Sequence, residues 1–154
     1  MKCAIIYCSK TGNTERVARA IAHGLNGSVK MVKLDFTPEG ILKDFSPSFT
    51  LDLSPFELIF LGGWVMVMRV HPYLYAYIKR CSNIEGKKVA GFLTGGAVLS
   101  RDHAFKDFKG VIEQRGAELA GFSYTSTLLG LTLTRKKLEV ATGFARDLMK
   151  KCNR

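Results

Sequence analysis

The sequence predicts an α/β fold, a doubly wound parallel sheet with helices on both faces. Three observations carry that prediction. Short apolar runs rich in β-branched and aromatic residues recur along the chain, each followed by a glycine-containing loop and a segment with helical spacing, the pattern of βαβ units. Three of the runs are apolar almost without a break, as parallel strands covered on both faces must be. The chain has 154 residues, the size of one domain, and at that length folding hides roughly 70% of the unfolded surface, enough for one core. Residues 1–154 are therefore read as a single domain, without internal repeat, linker or low-complexity tract.

In chain order, strands are expected over Cys3 to Tyr7, Val29 to Leu34, Leu58 to Leu61, Val89 to Leu93 and Leu119 to Thr125. The first helix is expected from Thr14 to Leu25, where Val17, Ala18, Ile21, Ala22 and Leu25 share one face and Gly24 and Gly27 suit its end. A second follows His71-Pro72, because proline fits the first helical turn, and Tyr73, Leu74, Tyr77, Ile78 and Cys81 form its buried stripe. A third starts near Asp102, with Ala104, Phe105, Phe108, Val111 and Ile112 facing inward and Gly116 past its end. The last begins after Thr134, an N-cap residue, and buries Leu138, Ala141, Ala145, Leu148 and Cys152. Asp35 to Pro55 carries three of the four prolines and little periodicity, so it reads as mostly loop.

In doubly wound sheets ligands bind outside the carboxyl ends of the strands, where strand order reverses. The loops of interest are thus Cys8 to Thr14, Gly62 to Val70 and Thr94 to Arg101. The first places hydroxyls at Ser9, Thr11 and Thr14 around Gly12 and opens a helix whose free amides point back at it, an anion cradle. Gly12 lets the backbone bend close to a ligand, and each charge-assisted hydrogen bond to a phosphate is worth about 1.5 to 3 kcal/mol. Other phosphate motifs are missing. No Gly-x-x-x-x-Gly-Lys-Ser/Thr occurs, and no Gly-x-Gly-x-x-Gly follows the first strand. Cys8 suggests a cysteine phosphatase, but Thr14 stands where that chemistry wants an arginine, and the Tyr7-Cys8-Ser9 end of the strand lacks the acids of a receiver domain.

Tyr7-Cys8-Ser9-Lys10-Thr11-Gly12-Asn13-Thr14-Glu15, between a buried strand and an amphipathic helix, resembles the FMN phosphate loop of flavodoxins. The similarity extends through Leu61-Gly62-Gly63-Trp64 and through the segment from Gly86 to Gly96, and the length suits the short-chain branch. The resemblance implies a flavodoxin-like five-stranded parallel sheet of order 2-1-3-4-5 and noncovalent FMN. Its phosphate would be held by Ser9, Thr11, Gly12, Asn13 and Thr14, with Lys10 in the same loop. The isoalloxazine ring would lie between Gly62, Gly63, Trp64 and Val65 on one side and Thr94, Gly95 and Gly96 on the other. The paired glycines permit close approach of main chain to a flat ligand. Trp64 is placed to stack on the ring, worth roughly 0.5 to 1.5 kcal/mol beyond area burial; the alternative is a core or interface tryptophan.

Departures from the flavodoxin pattern are equally informative. Familiar flavodoxins place carboxylates near the flavin, whereas the segment from Gly63 to His71 has no acid, the third loop ends in Arg101, and the tyrosine that often covers the outer ring face is missing. Fully reduced FMN is anionic at its N1 edge. A cation about 8 Å away at an effective dielectric near 20 is worth about 2 kcal/mol, or roughly 90 mV for one electron before screening. The expected potential is therefore less negative than that of a low-potential flavodoxin. His71 and His103 flank the ring site and can donate a proton or a hydrogen bond there, but the simpler reading of both is structural, at or near helix starts. His23 reads as a partly solvated helix residue. Met66 and Met68 alternate with Val65 and Val67 as a docking surface or a covered loop.

The 47% apolar and 23% charged composition is that of a soluble globular chain, and its formal charge is +10. Seven cations against two carboxylates give residues 135 to 154 a net of +5, which favours acidic partners or reads as a solvated helix face. Cys3, Cys8, Cys81 and Cys152 show no zinc spacing and read as reduced cytosolic thiols. The apolar stretch ending at Tyr7 is too short for a signal-peptide core or a membrane span, so a cytoplasmic location is expected. Two redox functions follow from the resemblance. One is an electron carrier working with a redox partner protein. The other is an FMN-dependent reductase passing hydride from NAD(P)H to a quinone; the resemblance also reaches toward flavodoxin-like protoporphyrinogen oxidases, whose inserted region is absent. A nucleic-acid-binding module using the basic last helix ranks below both, because Phe144 is its only aromatic residue.

Overall fold

The computed structural model describes residues 1–34, 51–66, 69–96, 99–127 and 133–154, with the backbone alone at Met66 and Arg69. Most of the expected loop from Asp35 to Pro55, together with Val67, Met68, Ala97 and Val98, lies outside the described residues.

Five strands run parallel: β1 (Cys3–Tyr7), β2 (Val29–Lys33), β3 (Leu58–Met66), β5 (Lys88–Gly95) and β6 (Glu118–Ser126). Their order across the sheet is β2-β1-β3-β5-β6, the 2-1-3-4-5 order expected, with a short strand β4 (Arg69–Val70) paired antiparallel to the end of β3. Four helices are described: α1 (Asn13–Gly24), α2 (Pro72–Arg80), α3 (Ser100–Gln114) and α4 (Arg135–Cys152). None of the described helices is long and apolar enough to cross a membrane.

Period-two alternation divides the core into two layers. Ala4 and Ile6 of β1, Ile59 and Leu61 of β3, and Val89 and Leu93 of β5 pack with Leu74, Tyr77 and Ile78 of α2 and Ala104, Phe108 and Ile112 of α3. Cys3, Ile5 and Tyr7, with Leu58, Phe60, Ala90 and Phe92, pack on the other face with Val17, Ala18 and Ile21 of α1 and Ala141, Ala145 and Leu148 of α4. Each fully buried Leu, Ile or Phe contributes roughly 1.5 to 3 kcal/mol. Of the residues assigned to inward stripes, Ala22, Tyr73, Val111, Leu138 and Cys152 are only half-buried and Phe105 sits furthest out. Phe105 is 37% exposed and edges onto Phe122 at 5.1 Å, while Tyr73 is half-buried and joins an aromatic cluster described below.

The largest departure from expectation is β3, which continues five residues past Leu61. Gly62, Gly63 and Trp64 pair with Phe92, Leu93 and Thr94 of β5, so the ladder extends through the glycines. Val65 then pairs with Val70 as the chain turns back. Most of what reads as a second loop is therefore strand and hairpin.

Helix ends follow their local chemistry. Thr134 Oγ1 accepts from Lys137 N at 3.2 Å to start α4, and Pro72 opens α2 behind His71, whose Nδ1 accepts from Tyr73 N at 3.5 Å. The far end of α2 is capped from a distance. Arg115 donates to Ile78 O and, at 2.8 Å, to Cys81 O, and its guanidinium is held by Glu85 at 2.7 Å.

Candidate functional site

The site begins where β1 ends. Cys8 is fully buried, its amide donating to Gly62 O at 3.1 Å and its thiol to the same oxygen at 3.8 Å. Burial pushes the Cys8 thiol up to about 12, so it stays protonated and is no nucleophile. The chain then bends through Gly12, which has φ +92° with no other group near an added Cβ; its left-handed backbone, rather than crowding, is what calls for glycine. Ser9 Oγ accepts from Gly12 N at 3.1 Å and from Glu15 N at 3.4 Å. That arrangement shapes the loop and leaves the Ser9 hydroxyl proton available to a ligand.

Glu15 is the acid of the first helical turn. Its carboxylate accepts from Tyr7 Oη at 2.9 Å and pairs with Lys33 at 3.6 Å. The Tyr7 hydrogen bond first, then the charges of Lys33 and Arg19, hold Glu15 below the usual carboxylate range. Its negative charge is thereby engaged with Tyr7 and Lys33, and Glu15 does not line the cleft described below.

Thr14 carries the link to the next wall. Its hydroxyl and that of Thr94 lie 2.9 Å apart, both buried, and tie the first loop to the end of β5. Between them opens a cleft of about 200 Å³. The first loop supplies Lys10, Thr11, Asn13 and Thr14; β3 supplies Trp64 and Val65; the end of β5 supplies Thr94, Gly95 and Gly96; Thr127 closes the side. Nine of the thirteen residues expected from the sequence line this cleft. Ser9 and Gly12 shape the loop beneath it. Gly62 and Gly63 lie in β3 away from the lining, and their glycines answer to packing. A Cβ on Gly62 would stand 2.1 Å from the Phe92 ring, and one on Gly63 would stand 3.2 Å from Leu74 Cδ2.

Thr127 was missed by sequence reasoning. Its signal was a hydroxyl residue directly after the last parallel strand, on the edge where ligands bind. Its amide donates to Gly95 O at 2.8 Å, which fixes the third loop. Gly95 itself has no room for a side chain, since its Cβ would meet Tyr124 Oη at 2.1 Å and Val65 Cβ at 3.2 Å.

Trp64 lines the cleft and is held in place by an aromatic cluster. It stacks on His71 with centroids 4.5 Å apart and meets the edge of Tyr73 at 5.9 Å. Burial, and then the charge of Lys10, hold the His71 imidazole below its ordinary range, favouring the neutral ring. His103 is exposed on α3. Among the described residues the cleft lining contains one charged side chain, Lys10, and no carboxylate.

These groups fit FMN chemically. Hydroxyls, the Asn13 amide and free helix amides at one end suit a phosphate, and no anion competes there. At the other end Trp64, Val65 and the bare backbone of Gly95 and Gly96 form walls for a flat ring.

Comparison with known proteins agrees with this geometry. Solved structures that share the fold include a flavodoxin from the domain Archaea (TM-score 0.71, 19% identity, covering 100% of each chain); oxidised Flavodoxin 2 from Bacillus cereus (0.71, 23%, covering 98% of this chain and 99% of that one); and a flavoprotein in complex with FMN from Lactobacillus acidophilus (0.68, 15%, covering 84% and 96%). No curated protein sequence matches the chain. The family model of the flavodoxin domain matches residues 4–122, from β1 into β6, and so includes the first loop, the β3 edge and the end of β5. The chain that builds this cleft belongs to the flavodoxin family.

Proposed function

We propose that this flavodoxin carries electrons between partner proteins, using FMN held in the cleft formed by the first loop, Trp64-Val65 and Thr94 to Gly96. When bound, FMN supplies one- and two-electron redox chemistry. The residues supply its position and its electrostatics. Ser9, Thr11, Asn13 and Thr14 donate to the phosphate, the buried Thr14–Thr94 pair fixes the distance between the phosphate cradle and the ring walls, and Gly95 and Gly96 bring bare backbone to the ring.

The observation that carries this reading is the cleft itself, which joins a hydroxyl-lined helix start to a wall of Trp64, Val65, Gly95 and Gly96 on the carboxyl edge of the sheet. Lys10 in a lining without carboxylates supports a less negative potential than an acid-lined site would give. The chain's +10 charge supports an acidic redox partner.

Anaerobic reductive titration of the protein with added FMN tests the reading, with NADH and NADPH tried before dithionite. Uptake of FMN, reduction in two resolved one-electron steps and indifference to both nicotinamides are the expected results. Direct reduction by NAD(P)H in one two-electron step would replace the carrier with a reductase. Failure to take up FMN would overturn the site.

A further inference from the structure

Helices α1 and α4 lie side by side on one face of the sheet. They meet most closely near the end of α1, where a Cβ on Gly24 would stand 2.3 Å from Thr142 O and 3.1 Å from Ala145 Cβ. Thr142 Oγ1 reinforces the contact by donating to Ala20 O at 2.9 Å. Beside this contact, between Arg16 to His23 of α1 and the first half of α4, a groove of about 470 Å³ opens. Its floor is aliphatic, made by Ala20, Leu138 and Thr142.

Its rims are cationic. Arg16, Arg19 and His23 recur at spacings of three and four and so form one stripe along α1. Arg135 and Glu139 stand opposite on α4, paired at 3.4 Å, with both side chains largely exposed at 94% and 67%. Neither Arg16 nor Arg19 makes an ion pair with a described residue. Two guanidiniums on α1 thus face the Arg135–Glu139 pair across an apolar floor, with Arg19 also within reach of the charge of Glu15, so the lining carries three guanidiniums and one carboxylate; the groove shares no lining residue with the FMN cleft.

We propose that this groove docks an acidic amphipathic segment of a partner protein, with an apolar side chain on Ala20 and Leu138 and carboxylates against Arg16, Arg19 and Arg135. Charge complementarity identifies the occupant. Guanidiniums suit carboxylates in paired geometry, and the aliphatic floor rewards an apolar anchor that a bare anion lacks. Nucleic acid is disfavoured because no Phe, Tyr or Trp lines the groove for base stacking. The arginines stand on exposed rims, which suits a surface that recognises a chain better than a closed pocket for a small anion. The proposal does not depend on how FMN is used, since the two sites have separate linings.

The test uses the full chain loaded with FMN and a fluorescent helical 14-residue peptide bearing two leucines at i, i+4 flanked by glutamates, followed by anisotropy. The expected result is binding at low salt that weakens as ionic strength rises. It should fall at least about tenfold in the Arg19→Glu/Arg135→Glu double variant, with no change in Lys106→Glu, a charge reversal at an exposed position of α3 that lines neither cleft. A peptide with serine in place of both leucines should bind at least about fivefold more weakly. FMN titration and thermal melting of the variants report separately on the FMN site and the fold; if the double variant melts early, Arg19→Gln/Arg135→Gln takes its place. Peptide binding that survives the arginine changes, or equal binding of the serine peptide, would overturn the proposal. So would absence of binding, or a single-stranded oligonucleotide or phosphatidylserine vesicle that displaces the leucine peptide.

Discussion

Lys10 sets the sign of the cleft's electrostatics, and its neighbour His71 reports on it. Replacing Lys10 by Gln should move the potential of bound FMN to more negative values by up to about 90 mV, the ~2 kcal/mol of one charge at about 8 Å and an effective dielectric near 20. Spectroelectrochemistry checks it, and a shift to positive values would place the cation elsewhere. The same change removes one of the two causes that lower the His71 pKa, the other being burial. NMR titration of His71 should therefore show its pKa rise in Lys10→Gln. Glycines tell a different story from the one their sequence suggests. Gly62 and Gly63 read as room for a ligand, yet the space is taken by the protein's own Phe92 and Leu74. Gly62→Ala should cost roughly 1 to 3 kcal/mol by overpacking, and Phe92→Leu in the same chain should recover part of it, as urea denaturation would show. The hydroxyls of the first loop were legible because their chemistry is local. The packing role of Gly62 was not, because Phe92 stands thirty positions away in sequence and only strand register brings it opposite.

Among the elements, the helices were read best, because caps and periodicity act within a turn or two. Thr134, Pro72 and Gly116 mark ends that the structure places within two residues of expectation, with Gly116 at φ +72° after α3. The extension of β3 escaped the reading for an opposite reason: Gly62-Gly63 looks like a loop until β5 is alongside to continue the ladder. The cap on α2 is also nonlocal. Arg115 reaches from the end of α3 to the last carbonyls of α2, a distance of 34 positions from Cys81. Arg115→Ala should destabilise the fold by about 1.5 to 3 kcal/mol, the range of hydrogen bonds to a charged group, and Arg115→Lys should restore little, because an ammonium lacks the planar fork that serves two carbonyls at once. Denaturant midpoints of the two variants compare these outcomes directly.

At the scale of the molecule, acid should weaken the fold in two stages. His71 has a folded pKa below its ordinary 6.5, so the unfolded chain takes up its proton first and stability falls as pH drops through 6.5 toward the folded value. Glu15, Asp52 and Glu85 have lowered folded pKa values, through hydrogen bonds from Tyr7, Ser54 and Arg115 respectively. Their contribution is present above the unfolded values of 4.5, 3.8 and 4.5 and is lost as pH falls below them. Urea denaturation across pH should show the first stage flatten in His71→Gln and the second remain. The wall of the cleft carries one more consequence. The hydroxyl pair between Thr14 and Thr94 spans 80 positions, and Thr127 lies later still. During N-to-C synthesis, at about 5 to 20 residues per second, the phosphate loop emerges early but lacks its partner until β5 has left the ribosome. A nascent chain shorter than that holds a loop without a wall, so the vitamin-derived group meets a complete cleft only once β5 and Thr127 stand against the loop, and it inspects a formed sheet rather than templating an unfinished one.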